Sequence, residues 1–357
     1  MAVDNKNKIL RDAEKYVLQG RINQAITEYL KIIKSDPEDV LTLNTIGDLY
    51  LRQKKITEAI NYFTQVAESY ARNNFLLKAI AVYRKILNAD PDNLFVNQTL
   101  ASLYARHGSN VDARNQYLKV AEISAREGKN RESLEAYEKV AELDPMNAAV
   151  RLKLADIQLA GGAKEKAHDY LAGAARAQLK AGHLTEAVSS FRRAMQLNPL
   201  DAALMRGFLE TCVQLKNVAP ALDQLKDSLA LAPDNIDLLE MHGQARLAAG
   251  DPGAAAQAFQ AVVSADGSRF GLFYEIHEAF LKARNLDNAA ACLDGIIPRA
   301  ISRRSADRVA EAYKAILVVD SSHIPTWTRL AHLYSATNDQ VGYLEAHDRL
   351  ADLYMKQ

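Results

Sequence analysis

The strongest constraint on this 357-residue chain is that it copies itself. A helical phrase runs into a proline turn at Pro37, Pro91, Pro145 and Pro199, in steps of 54 residues, and again at Pro233 after a step of 34. Each of the first four turns follows the same wording: AITEYLKIIKSDP, AIAVYRKILNADP, SLEAYEKVAELDP and AVSSFRRAMQLNP. A small residue is followed four positions later by an aromatic, and three positions after that by an aliphatic residue or alanine. Those offsets stack the three side chains on one helix face. The proline then blocks further helix and starts a turn.

A second phrase alternates with the first: LNTIGDLY at 43–50, NQTLASLY at 97–104 and WTRLAHLY at 327–334. Its small residue (Gly47, Ala101, Ala331) lets a paired helix approach closely, and a tyrosine (Tyr50, Tyr104, Tyr334) fills the space one turn on. Together the two phrases resemble the tetratricopeptide repeat, whose signature is W-x2-L-G-x2-Y, then A-x3-F, then P within 34 residues. The fullest copy is Leu43, Ile46, Gly47, Tyr50, Ala59 and Phe63; the best first half is Trp327, Leu330, Ala331 and Tyr334. The resemblance covers roughly residues 6 to 354. It implies an all-α tetratricopeptide-repeat solenoid, a right-handed superhelix of about 20 antiparallel helices.

The spacing departs from an even 34, and the departures are periodic. The residue opening the second helix falls at Ala25, Ala59, Ala79, Ala113, Ser133, Ala167, Ala187, Ala221, Ala255, Ala289, Val309 and Tyr343, in steps of 34 or 20. A step of 20 has room for one further helix. Around 55–72, Ala59, Phe63 and Val66 read as a second helix while Phe63, Ala67 and Tyr70 read as a first helix. This predicts one helix of about 18 residues, ~27 Å long, shared by two repeats. Two short helices joined by a loop are the alternative. Equivalent long helices are expected at about 109–126, 163–180 and 286–303, the last kinked near Ala291–Gly295 because of Gly295 and Pro298. The expected organisation is one continuous solenoid over 1–357. Its sub-units are 1–37, three 54-residue units over 38–199, two regular repeats over 200–267, a further 54-residue unit over 268–321 and a terminal helix pair over 322–357.

The last helix, 342–357, places Ala351 and Tyr354 where earlier units receive another helix. Either the sequence is a fragment of a longer protein, or this face is left for a partner or a symmetry mate, making an oligomer through the uncapped helix an expectation. The charged N-terminus has no signal-peptide core, and the longest aliphatic run, 315–319, is far short of a membrane span. Cys212 and Cys292 sit in apolar helical patterns and read as small buried hydrophobes. These features favour a cytoplasmic protein without membrane insertion.

No reactive constellation is legible. GGAKEK at 161–166 lacks P-loop spacing, the eight histidines show no HExxH or Cys pairing, and no carboxylate pair stands out as acid and base. No cofactor, no metal and no enzymatic activity are expected. His332 and His347 are expected to face each other across the last helix pair, as hydrogen-bonding rather than metal-binding groups.

What a solenoid offers is surface. The resemblance implies a concave face lined by first helices at repeat positions 2, 5, 9 and 12. Position 9 holds Glu14, Asp48, Ser102, Asp156, Glu210, Gln244, Glu278 and His332, five of them carboxylates and none a cation. Position 5, with Asn44 and Gln98 among others, is never lysine, and position 9 is never asparagine, so the family's clamp for a C-terminal carboxylate is not expected. Three-helix units reverse the polarity of the next first helix, so the stripe need not form one continuous groove over 38–199. The evenly spaced stretch at 201–214, 235–248 and 269–283 is the better candidate, with Arg206, Glu210, Asp237, Glu240, Gln244, Tyr274 and Glu278. Asn44, Asp48 and Asp156 are the counterparts earlier in the chain, and Tyr274 is the candidate aromatic anchor.

Composition then sharpens the expectation. The 44 basic and 44 acidic residues cancel, which argues against nucleic acid as a partner. The cancellation is uneven: residues 1–200 hold 29 basic and 24 acidic side chains, whereas 201–300 hold 8 and 13. An acidic lining favours a protein or peptide partner with basic residues. The resemblance implies a non-enzymatic interaction scaffold, and the YARN and KAIAVYRKIL phrasing suggests a bacterial multiprotein assembly. The alternative is the regulatory or docking part of a larger enzyme whose catalytic portion is absent.

Overall fold

The repeat wording becomes helix after helix. A computed structural model describes residues 3–356, and among them every regular element is helical, 21 α-helices and one 3-10 turn. The chain divides into two compact units, residues 1–157 and 158–357.

The first unit holds α1 (Val3–Leu18), α2 (Ile22–Ser35), α3 (Val40–Arg52), α4 (Ile56–Arg72), α5 (Leu76–Ala89), α6 (Leu94–His107), α7 (Asn110–Arg126) and α8 (Asn130–Leu143), and the division falls within α9 (Ala148–Ala160). The turns explain the starts. Asn93 accepts a hydrogen bond from the Val96 amide (3.0 Å) and Asn147 one from the Val150 amide (3.1 Å), each satisfying an amide with no partner inside its helix. The helices α4 and α7 each run for 17 residues without a break. Both pack on the helix before and the helix after, so one element serves two repeats. The alternative of two short helices is excluded there. Ion pairs echo the 54-residue period: Arg72 reaches Glu38 (3.1 Å) and Arg126 reaches Asp92 (2.6 Å).

The second unit holds α10 (Lys164–Lys180), α11 (Leu184–Leu197), α12 (Ala202–Gln214), α13 (Ala219–Leu231), α14 (Ile236–Ala248), α15 (Pro252–Ala265), a 3-10 turn over Gly267–Arg269, α16 (Leu272–Lys282), α17 (Leu286–Asp294), α18 (Ile297–Ser302), α19 (Ala306–Val319), α20 (Ile324–Thr337) and α21 (Gln340–Tyr354). Its caps follow the same rule: Asp201 accepts from the Leu204 amide (2.9 Å) and Asn235 from the Leu238 amide (3.1 Å).

Helix ends carry the period more sharply than any side chain. Left-handed backbone occurs at Gly20, Lys54, Asn74, Gly108, Gly128, Gly162, Gly182, Lys216, Gly250, Arg284, Arg304 and Asn338. Their steps of 34 and 20 reproduce the order read from the small residues. The following amide closes each turn on the carbonyl five residues back, as in Lys55 to Tyr50 (3.0 Å) and Asn217 to Cys212 (3.0 Å), the usual closure of a left-handed helix end. Close approach needs glycine at two first-helix positions. A Cβ on Gly47 would lie 2.7 Å from Phe63 of α4, and one on Gly243 would lie 2.2 Å from Phe259 of α15.

Two sequence expectations are corrected. The helix expected over 286–303 is not kinked but divided, because Pro298 has no amide to return to the Asp294 carbonyl and its ring crowds that turn. In α21 the packed residues are Gly342, Ala346 and Leu350, whereas Tyr343 is 38% exposed; the packing stripe slips by one residue because glycine admits the ring of Tyr334. Cys212 is buried and Cys292 half-buried, and both are free thiols. Burial pushes the Cys212 thiol up to about 11 and the Cys292 thiol up to about 12, so neither is a ready nucleophile.

Candidate partner-binding site

In the second unit, α12, α14 and α16 bring part of the expected lining together. Arg206, Asp237, Glu240, Arg269 and Glu275 border an open groove of about 480 Å³. The residue that organises this groove was invisible to the helical stripe. Arg269 lies in the 3-10 turn before α16, and its guanidinium spans Asp237 (3.0 Å), Glu240 and Asp266 (3.3 Å). Hydrogen bonds to Asp237 and Glu240 raise the Arg269 pKa above its already high ordinary value. Two of the expected acidic residues are therefore already matched by a cation of the same chain. Ser268 donates from its hydroxyl (2.6 Å) and amide (2.9 Å) to Asp266, and these bonds hold that carboxyl below its ordinary range.

Glu275 has the opposite environment. Partial burial, followed by the charges of Glu240 and Glu278, raises its carboxyl above the ordinary value. Arg206 is exposed on α12 and has no carboxylate partner among the described residues. Glu210 is exposed and accepts from Gln214 (3.2 Å); Gln244 donates to Glu240 (3.4 Å); Glu278 is exposed on α16. Tyr274 does not line the groove. It is only 7% exposed, belongs to the core and lies under the Arg308 guanidinium at 4.2 Å. It is a packing residue, because position 5 of α16 faces inward where the helix starts one 3-10 turn late.

In the first unit, Asn44 donates to Asp48 (3.4 Å), and Asp48 is paired with Lys85, whose ammonium also sits 4.4 Å from the Phe63 ring centroid. Asp156 is exposed on α9. The larger surface openings of this unit flank α6. One, of about 670 Å³, lies between the C-terminal half of α4 and α6 and is bordered by Glu68, Arg72, Phe95 and Arg106. The other, of about 410 Å³, lies between α6 and α8 and is bordered by Glu132, Glu135, Glu138 and Glu142, with Lys139. Gln98 and Ser102, at positions 5 and 9, stand on both sides. The residue overlooked by reading positions 5 and 9 is Phe95 at position 2, which is 55% exposed; its counterpart Leu41 is 78% exposed. Large apolar side chains at two equivalent lining positions were the available signal.

His332 and His347 both border a groove of about 260 Å³, and the His347 ring lies against that of Tyr343. Among the described residues no three metal-ligating side chains gather, and no helix is long and apolar enough to cross a membrane.

No curated protein matches the sequence. Among solved structures, the tetratricopeptide domain of P58(IPK) is 15% identical, with 78% of this chain and 97% of that chain covered and a TM-score of 0.25. A human IFIT1 dimer solved with PPP-AAAA is 14% identical, with 98% and 94% covered and a TM-score of 0.33. A tetratricopeptide repeat protein from Parabacteroides merdae is 14% identical, with 78% and 99% covered and a TM-score of 0.26. At such scores these likenesses say nothing of site or partner. The family model described as tetratricopeptide repeat matches residues 13–74, 125–177, 172–236 and 240–306. With well over half of its length matched by that model, the chain belongs to the tetratricopeptide repeat family.

Proposed function

We propose that this protein is a non-enzymatic scaffold of the cytoplasm that holds a partner protein by a basic segment on the first helices of its second unit. The observation that carries this reading is the clasp around Arg269, where carboxylates of α14 grip a guanidinium presented from another element. The same surface keeps Glu210 and Glu278 exposed for a second cation. Charge complementarity of this kind sets specificity and association rate.

The test uses the full chain and a fluorescent lysine-rich peptide of about 12 residues, read by anisotropy. The double variant Glu210→Lys/Glu278→Lys is expected to weaken binding about tenfold, and 0.5 M salt to abolish it. Equal binding by the double variant overturns the proposal.

A further inference from the structure

Residues 201–300 are acidic in balance, yet an arginine cluster begins at their end. Arg299, Arg303, Arg304 and Arg308 occupy α18, the turn after it and the first turn of α19. The fold gathers them along one strip, the 3-10 turn and the start of α16. Arg299 packs on Gly267, where a Cβ would lie 3.2 Å from its Nε. The Arg303 guanidinium sits 5.5 Å from the Phe270 ring centroid, and that of Arg308 sits 4.2 Å from the Tyr274 centroid. Arg304 holds the left-handed position next to Arg303. Arg303, Arg304 and Arg308 are exposed and Arg299 is half-buried.

A guanidinium stacked on a ring uses its face and keeps its in-plane N–H donors for another partner. None of these four side chains makes a hydrogen bond or an ion pair among the described residues. Arg269 and Arg329 of the same unit, by contrast, are taken up by Asp237 and Glu240 and by Asp294. Two exposed carboxylates of α19, Asp307 and Glu311, share the region, but neither is ion-paired with the cluster. Four cations thus stand against two carboxylates over 299–311. Asp266, beside Gly267, is held by Arg269 and Ser268, and Glu275, beside Tyr274, borders the groove of α14. Counted back from Val309, lining positions 2, 5, 9 and 12 of this repeat are Ala291, Asp294, Pro298 and Ile301. The cluster therefore lies off the first-helix stripe.

We propose that this corner of α18 and α19 is a second docking surface, and that it takes an acidic segment of a partner protein. An arginine fork binds a carboxylate through two parallel hydrogen bonds, which suits donors that have no partner within the chain. Stacking on Phe270 and Tyr274 orders two of the forks before the segment arrives, so less side-chain freedom is lost on binding. The rings disfavour nucleic acid as the occupant. Phe270 is half-buried against the core with Arg303 on its ring, and Tyr274 is only 7% exposed, so no free ring face is left for a base to stack on. The inference goes beyond the scaffold reading above, because the site is distinct from the groove of Glu210 and Glu278 and takes the opposite charge.

The experiment uses the full chain and a fluorescent glutamate-rich peptide of about 12 residues, read by anisotropy. Arg303→Glu/Arg304→Glu is expected to weaken binding about tenfold. Arg303→Lys/Arg308→Lys keeps the charge but loses the forks, and is expected to weaken it about threefold. Phe270→Leu leaves every charge in place and is expected to weaken it about twofold, with an unchanged helical circular dichroism spectrum. Wild-type affinity in any of these three overturns the proposal. So does an equal loss in Arg52→Glu/Lys54→Glu of the first unit, which would reveal general attraction instead of a site. Tighter binding of a single-stranded oligonucleotide or of phosphatidylserine vesicles, lost in Arg303→Glu/Arg304→Glu, overturns it as well. The lysine-rich peptide of the preceding test, run in parallel, separates the failures. If it alone fails to bind, only the groove of Glu210 and Glu278 is wrong; if the glutamate-rich peptide alone fails, only the arginine corner is.

Discussion

The turn before α6 and the turn before α16 occupy the same place in the repeat, each 19 residues after a left-handed helix end, yet they do different things. The first reads Asp90, Pro91, Asp92, Asn93; the second reads Asp266, Gly267, Ser268, Arg269. Asn93 caps its own helix. Arg269 stands in the capping place but has no acceptor for an amide, so α16 begins only at Leu272 and the freed side chain reaches back to α14. The residue at this place thus caps the helix in one region and bridges two groove carboxylates in the other. The helices are alike in both places; the surface is decided between them.

If the helix packing is common to both regions and only the turns differ, the glycine contacts should respond alike. Gly243→Ala and Gly47→Ala are each expected to cost about 1–3 kcal/mol in denaturant unfolding, since each methyl meets a phenylalanine ring at under 3 Å. A cost at only one of them would break the comparison at its base. Exchanging the turn chemistry comes next in size. Asn93→Ala should cost about 1 kcal/mol through the lost cap. Arg269→Asn should restore a cap while releasing Asp237 and Glu240. Its stability change is therefore smaller, but it should bind the lysine-rich peptide several-fold more tightly by anisotropy; unchanged affinity would show that the clasp does not mask the groove.

The smallest effect concerns Glu275. Its raised carboxyl means that ionisation opposes folding, so its neutral form contributes stability that is present below the unfolded value of about 4.3 and lost as pH rises through the folded value. Glu275→Gln should give a small rise in Tm at pH 7 that vanishes below about pH 4. A rise that persists at pH 3 would trace to packing instead of charge.

The architecture was legible because its information is local and repeated. The spacing of small residues, the prolines and the tyrosines all report one buried stripe, and the left-handed turns follow the same steps. Where a single residue departs from the pattern, the sequence misleads: Gly342 takes the packing place expected of Tyr343, and Pro298 divides a helix expected to bend. The candidate surface was legible only in part. Arg206, Asp237 and Glu240 do share a groove, but the residue that links two of them lies outside every α-helix, about 30 positions along the chain. Periodicity cannot report a side chain that reaches across a turn. Nor could it place Tyr274, whose burial depends on where α16 begins.

The long helices α4 and α7 have a consequence for how this protein comes apart. In a stack of repeats each unit is stabilised by its neighbours, and fraying normally proceeds one unit at a time. An element that belongs to two repeats removes that freedom, since it cannot melt without withdrawing a wall from both. Local opening should therefore advance in blocks where such helices lie. Between α17 and α18 the shared helix is divided, and amide protons there should exchange early, marking a seam at which the second unit loosens before its better-joined parts.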